Sequence, residues 1–307
     1  MIKIKIEQSS NKCSKLFLVF FLILFNFSCS PEEQEDEEPP RDYLDQSVED
    51  DQKLVEYLKS HYYNYEDFNN DSNEDKEIII DTILSESANL KSLFDFAVQT
   101  SVTLASNEGE IIEHKLYHII VKEGIRINDK PSIADSVYLS YKGKLLNGNI
   151  FDKKTNPVWF DNATVIRGFR YGLQYFSPGN FIQKVNGTID FNQYGRGLIF
   201  MPSGLGYFNN AQTSIPTYSP LIFEVSVYTI NKADHDNDGV YSIEEDPNKD
   251  GNPYNDDTDE DGIINMYDED DDGDGILTKD ELGGNDPNNL PDDSNNDGIP
   301  DYLDKNT

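Results

Sequence analysis

Cysteine is close to absent. The 307 residues hold two, Cys13 and Cys29, both within the first thirty, so no disulfide staples the rest of the chain in any redox compartment. Cations are scarce as well: 25 Lys and Arg face 58 Asp and Glu, for a formal charge of −33. That balance argues against a nucleic-acid partner, because a protein that neutralises phosphates needs a basic face. Long apolar runs are missing too. The longest, Leu16–Phe25, has ten residues, too few to span about 30 Å of hydrocarbon at ~1.5 Å per residue. Length alone suggests about two domains at ~150 residues each. The acid is unevenly spread, however: residues 234–307 carry 26 Asp or Glu against 3 Lys, a net −23 that leaves −10 for everything before them. The tail therefore reads as a separate physical object.

What is present begins with a leader. Lys3, Lys5, Lys12 and Lys15 precede the apolar run, which is the pattern of a secretory signal rather than a membrane span. The ending Phe27-Ser28-Cys29 resembles the lipobox of bacterial lipoproteins. The resemblance implies a signal peptide over residues 1–28 and a diacylated Cys29 that anchors the mature chain, each buried CH2 adding roughly 0.8 kcal/mol. Residues 31–40, Pro-Glu-Glu-Gln-Glu-Asp-Glu-Glu-Pro-Pro, form a solvated spacer by composition. They also resemble the acidic export signal of some Gram-negative lipoproteins. An outer-membrane lipoprotein facing the periplasm or the cell surface is the implied location.

Residues 29–110 read as an acidic spacer with one to three short helices, carried by Leu54, Val55 and Leu58 and by Ile78–Leu84. The aromatics His61-Tyr62-Tyr63-Asn64-Tyr65 are read as packing residues. From Glu113 the apolar period becomes two, the spacing of a strand. Further strands follow at Val137–Leu146, ending in the turn pair Asn147-Gly148, then at Val158–Phe160, Leu198–Met201 and Leu221–Ile230, with one short helix at Ile166–Phe176. Over residues 111–231 this predicts an α+β domain, an antiparallel sheet wrapped on one short helix.

The motifs in that span come in a specific order: Tyr141-Lys-Gly143, Gly148-Asn-Ile-Phe151-Asp152, Val165-Ile166-Arg-Gly168-Phe169, Gly172-Leu173, Met201-Pro202-Ser-Gly-Leu-Gly-Tyr207, Ile215-Pro216, and Leu221-Ile-Phe223-Glu-Val225. The set resembles the FKBP-type peptidyl-prolyl cis-trans isomerases. Carried over residue by residue, the resemblance implies a proline pocket built from Tyr141, Phe151, Asp152, Val165, Ile166, Phe169, Tyr207, Ile215 and Phe223. Phe169 would be its floor, where many relatives have Trp. The Tyr207 hydroxyl and the Ile166 N–H would donate to substrate carbonyls, and Asp152 would stand on the rim. No cofactor is implied for isomerisation, and the substrates would be proline-containing polypeptides. Lys153 and Lys154 replace a common Arg, Val158 replaces a common Phe, and residues 180–193 are an insertion with a turn pair at Asn186-Gly187. A hairpin there would narrow substrate choice if it folded over the pocket.

The tail, residues 232–307, repeats one unit. Asp234, Asp236, Asp238, Val240 and Glu245 form the first; Asp257, Asp259, Asp261, Ile263 and Asp268 the second; Asp270, Asp272, Asp274, Ile276 and Glu281 the third; Asp293, Asn295, Asp297, Ile299 and Asp304 the fourth. Side-chain oxygens at positions 1, 3, 5 and 12, a carbonyl at 7 and Gly at 6 are the donor pattern for Ca2+. A weaker fifth loop starts at Asp246, with Asn248, Asp250 and Asp257 as its twelfth residue. Starts that step by 23, 13 and 23 residues, without flanking helices, resemble thrombospondin type 3 repeats. An irregular tail ordered by structural Ca2+ is implied. Alongside a lipid-anchored isomerase, the same features fit a non-catalytic peptide-binding, chaperone or adhesion module; the sequence leaves the oligomeric state open, with a monomer as the expectation.

Overall fold

The computed structural model describes residues 39–68, 76–84, 89–105, 109–283 and 292–307. The leader, Cys29 and the acidic run through Glu38 lie outside the described residues. Two compact units divide between Pro40 and Arg41, the second being Arg41–Thr307. Among the described residues no helix is long and apolar enough to cross a membrane.

Helix α1, Tyr43–Ser60, starts where the Asp42 carboxylate accepts from the Asp45 N–H at 2.8 Å, satisfying one of the first-turn donors. Leu54 and Leu58, one turn apart, are fully buried on its inner face. At His61 the backbone turns extended and enters a small ribbon of β1, His61–Tyr63, and β2, Ile80–Thr82. Tyr63, from the aromatic set, is buried there against Phe96.

Six strands form the main antiparallel sheet: β3, Val98–Ala105; β4, Ile111–Lys122; β5, Ser136–Leu145; β6, Ile150–Asp161; β9, Gly195–Met201; and β10, Leu221–Asn231. Between β6 and β9 come helix α2, Arg167–Leu173, and an inserted hairpin of β7, Asn180–Gln183, and β8, Ile189–Asn192. The order in the sheet is β3-β4-β9-β10-β5-β6. Gly148 turns the β5–β6 hairpin with φ +84°, a conformation that glycine adopts without a Cβ clash. Successive residues of β9 point to opposite faces. Leu198 and Phe200 pack under α1, while Ile199 and Met201 pack under α2. Both faces are covered, which is why Leu198–Met201 reads as an unbroken apolar run.

Several expectations need correction. Ile78–Leu84, read as helical, instead holds the strand β2, Ile80–Thr82, paired with β1. The sheet begins at Val98, inside the span read as spacer, because β3 pairs with β4 from Val98↔His118 to Ala105↔Ile111. Gln99, Thr100, Ser101 and Thr103 interrupt its apolar residues and only Val102 is buried in it, so its strand signal is weak. The sheet is also packed between two helices, α1 being far longer than a short spacer helix. The 180–193 insertion is a hairpin as predicted, turned at Gly187 with φ +84°.

The acidic tail is not a separate object. Its Tyr254 hydroxyl donates to the Ile133 carbonyl at 2.9 Å, and the Ala233 N–H donates to Asp135 at 3.2 Å. The Arg170 guanidinium of α2 lies 4.2 Å over the Tyr254 ring, and His235 Nε2 is 3.3 Å from Asp161 at the end of β6. Net charge hid these contacts, since an aromatic and a histidine make them. Within the tail Met266 and Tyr302 are buried, whereas Ile263, Ile276 and Ile299 are 45–47% exposed.

Candidate active site and acidic loops

Four elements converge on one concavity. Register places Tyr141 of β5 opposite Val225, and Gly143 opposite Phe223 of β10. A Cβ on Gly143 would lie 2.5 Å from the Phe151 ring, so only glycine lets that ring settle across the strand. Phe169 enters from the first turn of α2, whose N-cap is Ile166. The Ile166 N–H engages no acceptor among the described residues. Phe169 and Phe223 are 4.8 Å apart at 53°, Phe151 meets Phe223 edge-on at 5.5 Å, and Tyr141 meets Phe169 edge-on at 5.9 Å. These offset and edge-on contacts are the arrangements that aromatic quadrupoles favour.

The cavity has a volume of about 460 Å3 and is lined by all nine residues anticipated from the sequence: Tyr141, Phe151, Asp152, Val165, Ile166, Phe169, Tyr207, Ile215 and Phe223. Phe169, Ile215 and Phe223 are buried, Asp152 is exposed, and the other five are half-buried. Tyr141 donates its hydroxyl hydrogen bond to Asp152. Burial, and then that carboxylate, raises the Tyr141 hydroxyl well above the ordinary phenol value, so it stays a donor. Asp152 also accepts from the Lys153 N–H at 2.8 Å.

Phe160, Thr164, Gln212, Thr213 and Ser214 line the cavity as well and were not anticipated. Phe160 was visible only as one residue of a strand, and the polar Gln212–Ser214 stretch has no periodicity. Asp50 was also missed. This fully buried carboxylate of α1 accepts from Ser203 N at 2.7 Å and Ser203 Oγ at 2.5 Å, at the head of the loop that carries Tyr207. The hairpin insertion does not cover the pocket. It lines a second groove of about 970 Å3 with Tyr138 and Trp159, and Phe191 packs 5.4 Å from Tyr138.

The five acidic loops share one backbone pattern. The first carboxylate of each accepts from the glycine N–H: Gly239 to Asp234 at 3.2 Å, Gly251 to Asp246 at 2.7 Å, Gly262 to Asp257 at 3.0 Å, Gly275 to Asp270 at 3.1 Å and Gly298 to Asp293 at 3.1 Å. All five glycines have positive φ. Carboxylate oxygens gather within 4.8 Å in the trios Asp234/Asp236/Asp238, Asp257/Asp259/Asp261 and Asp270/Asp272/Asp274. The twelfth positions behave differently from one another. Glu245 meets Asp238, Asp304 accepts from Asn295 Nδ2 at 2.7 Å, and Asp268 and Glu281 stand outside the trios. In the fifth loop Asp256, not Asp257, joins Asp246 and Asp250, because Asp257 is already engaged as the first residue of the next loop. Burial, and then neighbouring acid charge, pushes Glu245 up to about 9 and Asp271 up to about 8.

Comparison with known proteins gives two family matches. The model of the FKBP-type peptidyl-prolyl cis-trans isomerase family matches residues 128–228, and that of the BamM C-terminal region matches residues 235–289. An FKBP-type isomerase, FkpA, of Buchnera aphidicola subsp. Baizongia pistaciae is 33% identical over 100 residues, 32% of this chain and 34% of the relative. A probable FKBP-type isomerase of Haemophilus influenzae is 37% identical over 102 residues, 32% of this chain and 36% of the relative. The crystal structure of FkpA from Escherichia coli is similar at 25% identity over 42% of this chain and 51% of that one, with a TM-score of 0.31. The chain thus spans about a third of the length of these two sequence relatives. The segment that builds the aromatic cavity is the one similar to FKBP-type peptidyl-prolyl cis-trans isomerases.

Proposed function

We propose that the chain is a peptidyl-prolyl cis-trans isomerase of the FKBP type, acting on proline-containing polypeptides. One observation carries this reading: nine anticipated residues line a single open cavity inside the family-matched segment. Rotation about a peptide bond faces a barrier of ~18–20 kcal/mol because resonance gives the C–N bond double-bond character. A twisted amide has lost that resonance and is less dipolar along C–N. An apolar, water-poor cavity therefore favours the twisted form over the planar one, and only such differential binding accelerates the step. Phe169, Phe223 and Ile215 supply the dry floor and wall. The Ile166 N–H and the Tyr207 hydroxyl hold the flanking carbonyls so that the amide rotates against a fixed frame.

In this reading the tail loops hold Ca2+. The donors are all oxygen, they recur at EF-hand-like positions, and several point inward without a hydrogen-bond partner. The lipobox-like Cys29 places the protein on the outer membrane, facing the periplasm or the cell surface, as a helper in the folding of exported proteins.

The test is a proline-isomerisation assay on the full chain, since α1 and β3 are part of the folded body. Tyr207→Phe should lower kcat/KM roughly tenfold, the loss of one transition-state hydrogen bond, and Asp152→Ala should lower it less. A wild-type protein that binds proline peptides without accelerating their isomerisation is the non-catalytic module instead.

A further inference from the structure

One cluster of carboxylates belongs to no single loop. Asp238 and Glu245 come from the first loop and Asp271 from the third, and one oxygen of each lies within 4.8 Å of the other two. They are 3%, 1% and 2% exposed. Asp238 Oδ1 accepts from the Val240 N–H at 2.7 Å. Asp238 Oδ2, both oxygens of Glu245 and both of Asp271 meet no hydrogen-bond partner among the described residues.

Asp271 holds the second position of its loop, and the other loops show what that position ordinarily does. His235, Thr258 and Ser294, at the same place, bond the ninth residue of their own loops: His235 Nδ1 lies 2.7 Å from Ser242 Oγ, Asn265 Nδ2 donates to Thr258 Oγ1 at 2.8 Å, and Ser294 Oγ donates to Asp301 at 2.6 Å. The backbone N–H of the second residue donates to the ninth side chain in all four of these loops, and in the third Thr278 accepts it from Asp271 at 3.2 Å. Only in the third of these loops does the second side chain leave the ninth residue alone: the Asp271 carboxylate faces Asp238 and Glu245 across the repeat instead.

Three desolvated carboxylates, with five unpartnered oxygens and one oxygen of each within 4.8 Å of the others, repel one another strongly, and burial of such charge is tolerated only with a counter-ion or bound protons. Resting on the calcium-loop reading above, we infer that Asp238, Glu245 and Asp271 form a cross-repeat cation site. In it Asp271 is a ligand supplied by the third loop, and the bound ion clamps that loop to the first. Hard oxygen donors from two separate loops suit Ca2+, which accepts flexible geometry, better than Mg2+, which demands a near-ideal octahedron. Asp238 belongs also to the trio with Asp234 and Asp236, so the clamp and the first loop share a bridging carboxylate.

The experiment compares the full chain with its Asp271→Asn and Asp271→Ser variants; serine is the residue that the fourth loop uses at this position. Calcium binding is followed by calorimetry and native mass spectrometry, and thermal unfolding is recorded in EDTA and in saturating calcium. The variants should lose one bound ion, or weaken one step at least about tenfold, while the remaining steps persist. Their melting temperature should exceed wild type in EDTA, where a repelling carboxylate has gone, and fall below it in calcium, where a ligand has gone. An unchanged isotherm with the same shift in both media would overturn the clamp and leave the loops standing. A wild-type chain that takes up no calcium overturns both readings.

Discussion

His118 of β4 is 5% exposed and stacks flat on Tyr175 with centroids 3.9 Å apart. Burial, and then the Lys130 charge, lowers it to about 4. The folded chain refuses a proton that the unfolded chain accepts near the ordinary histidine value. Its contribution is therefore complete above pH ~6.5 and is lost as pH falls from there towards about 4. Urea midpoints at pH 7.5 and 4.5 should drop steeply for wild type and less for His118→Phe. The phenyl ring keeps the Tyr175 stack and cannot take a proton, and Nδ1 has no partner to lose. At this scale the sequence was informative wherever residue types are chemically unusual together. The nine pocket residues could be found because aromatics and glycines recur in one order. Asp271 could not, since nothing distinguishes one buried acid among 26 in the tail.

Among the elements, α1 ties the pocket to the other face of the sheet. Gln46 Nε2 donates to Asp50 Oδ1 at 2.7 Å while the other carboxylate oxygen takes both donors of Ser203. Burial raises the Asp50 carboxyl, and the three hydrogen bonds hold it in place. Asp50→Ala leaves those donors buried and unpaired, so stability should fall by about 3 kcal/mol, measured as a shift in urea midpoint at constant slope. Isomerase activity should fall with it, because Ser203 sets the loop that carries Tyr207. Strands β4, β5 and β10 were legible from their apolar period, and β9 from its unbroken apolar run. β3 was not, since an edge strand half in water, broken up by Gln99, Thr100, Ser101 and Thr103, shows that period only weakly, and the length of α1 was obscured by a polar face rich in Asp and Glu.

At the scale of the whole molecule, two kinds of order meet. The isomerase-like body is held by burial on both sheet faces, whereas the tail, among its described residues, buries few large apolar side chains, Val240, Met266 and Tyr302, among many carboxylates. Removing divalent ions with EDTA should expand the full chain in small-angle scattering, with the change confined to the tail and reversed by calcium but not matched by magnesium. The body's circular dichroism should persist. The join between them, through Tyr254, Arg170 and His235, was invisible to charge arithmetic. The outer edge of the sheet guards against strand-to-strand association. Its outer strand β6 carries Lys153, Lys154 and Pro157; the proline withholds an N–H, and the paired cations repel a second backbone. A foreign β-segment thus finds a poor template along that rim, which disfavours edge-to-edge association of the folded body.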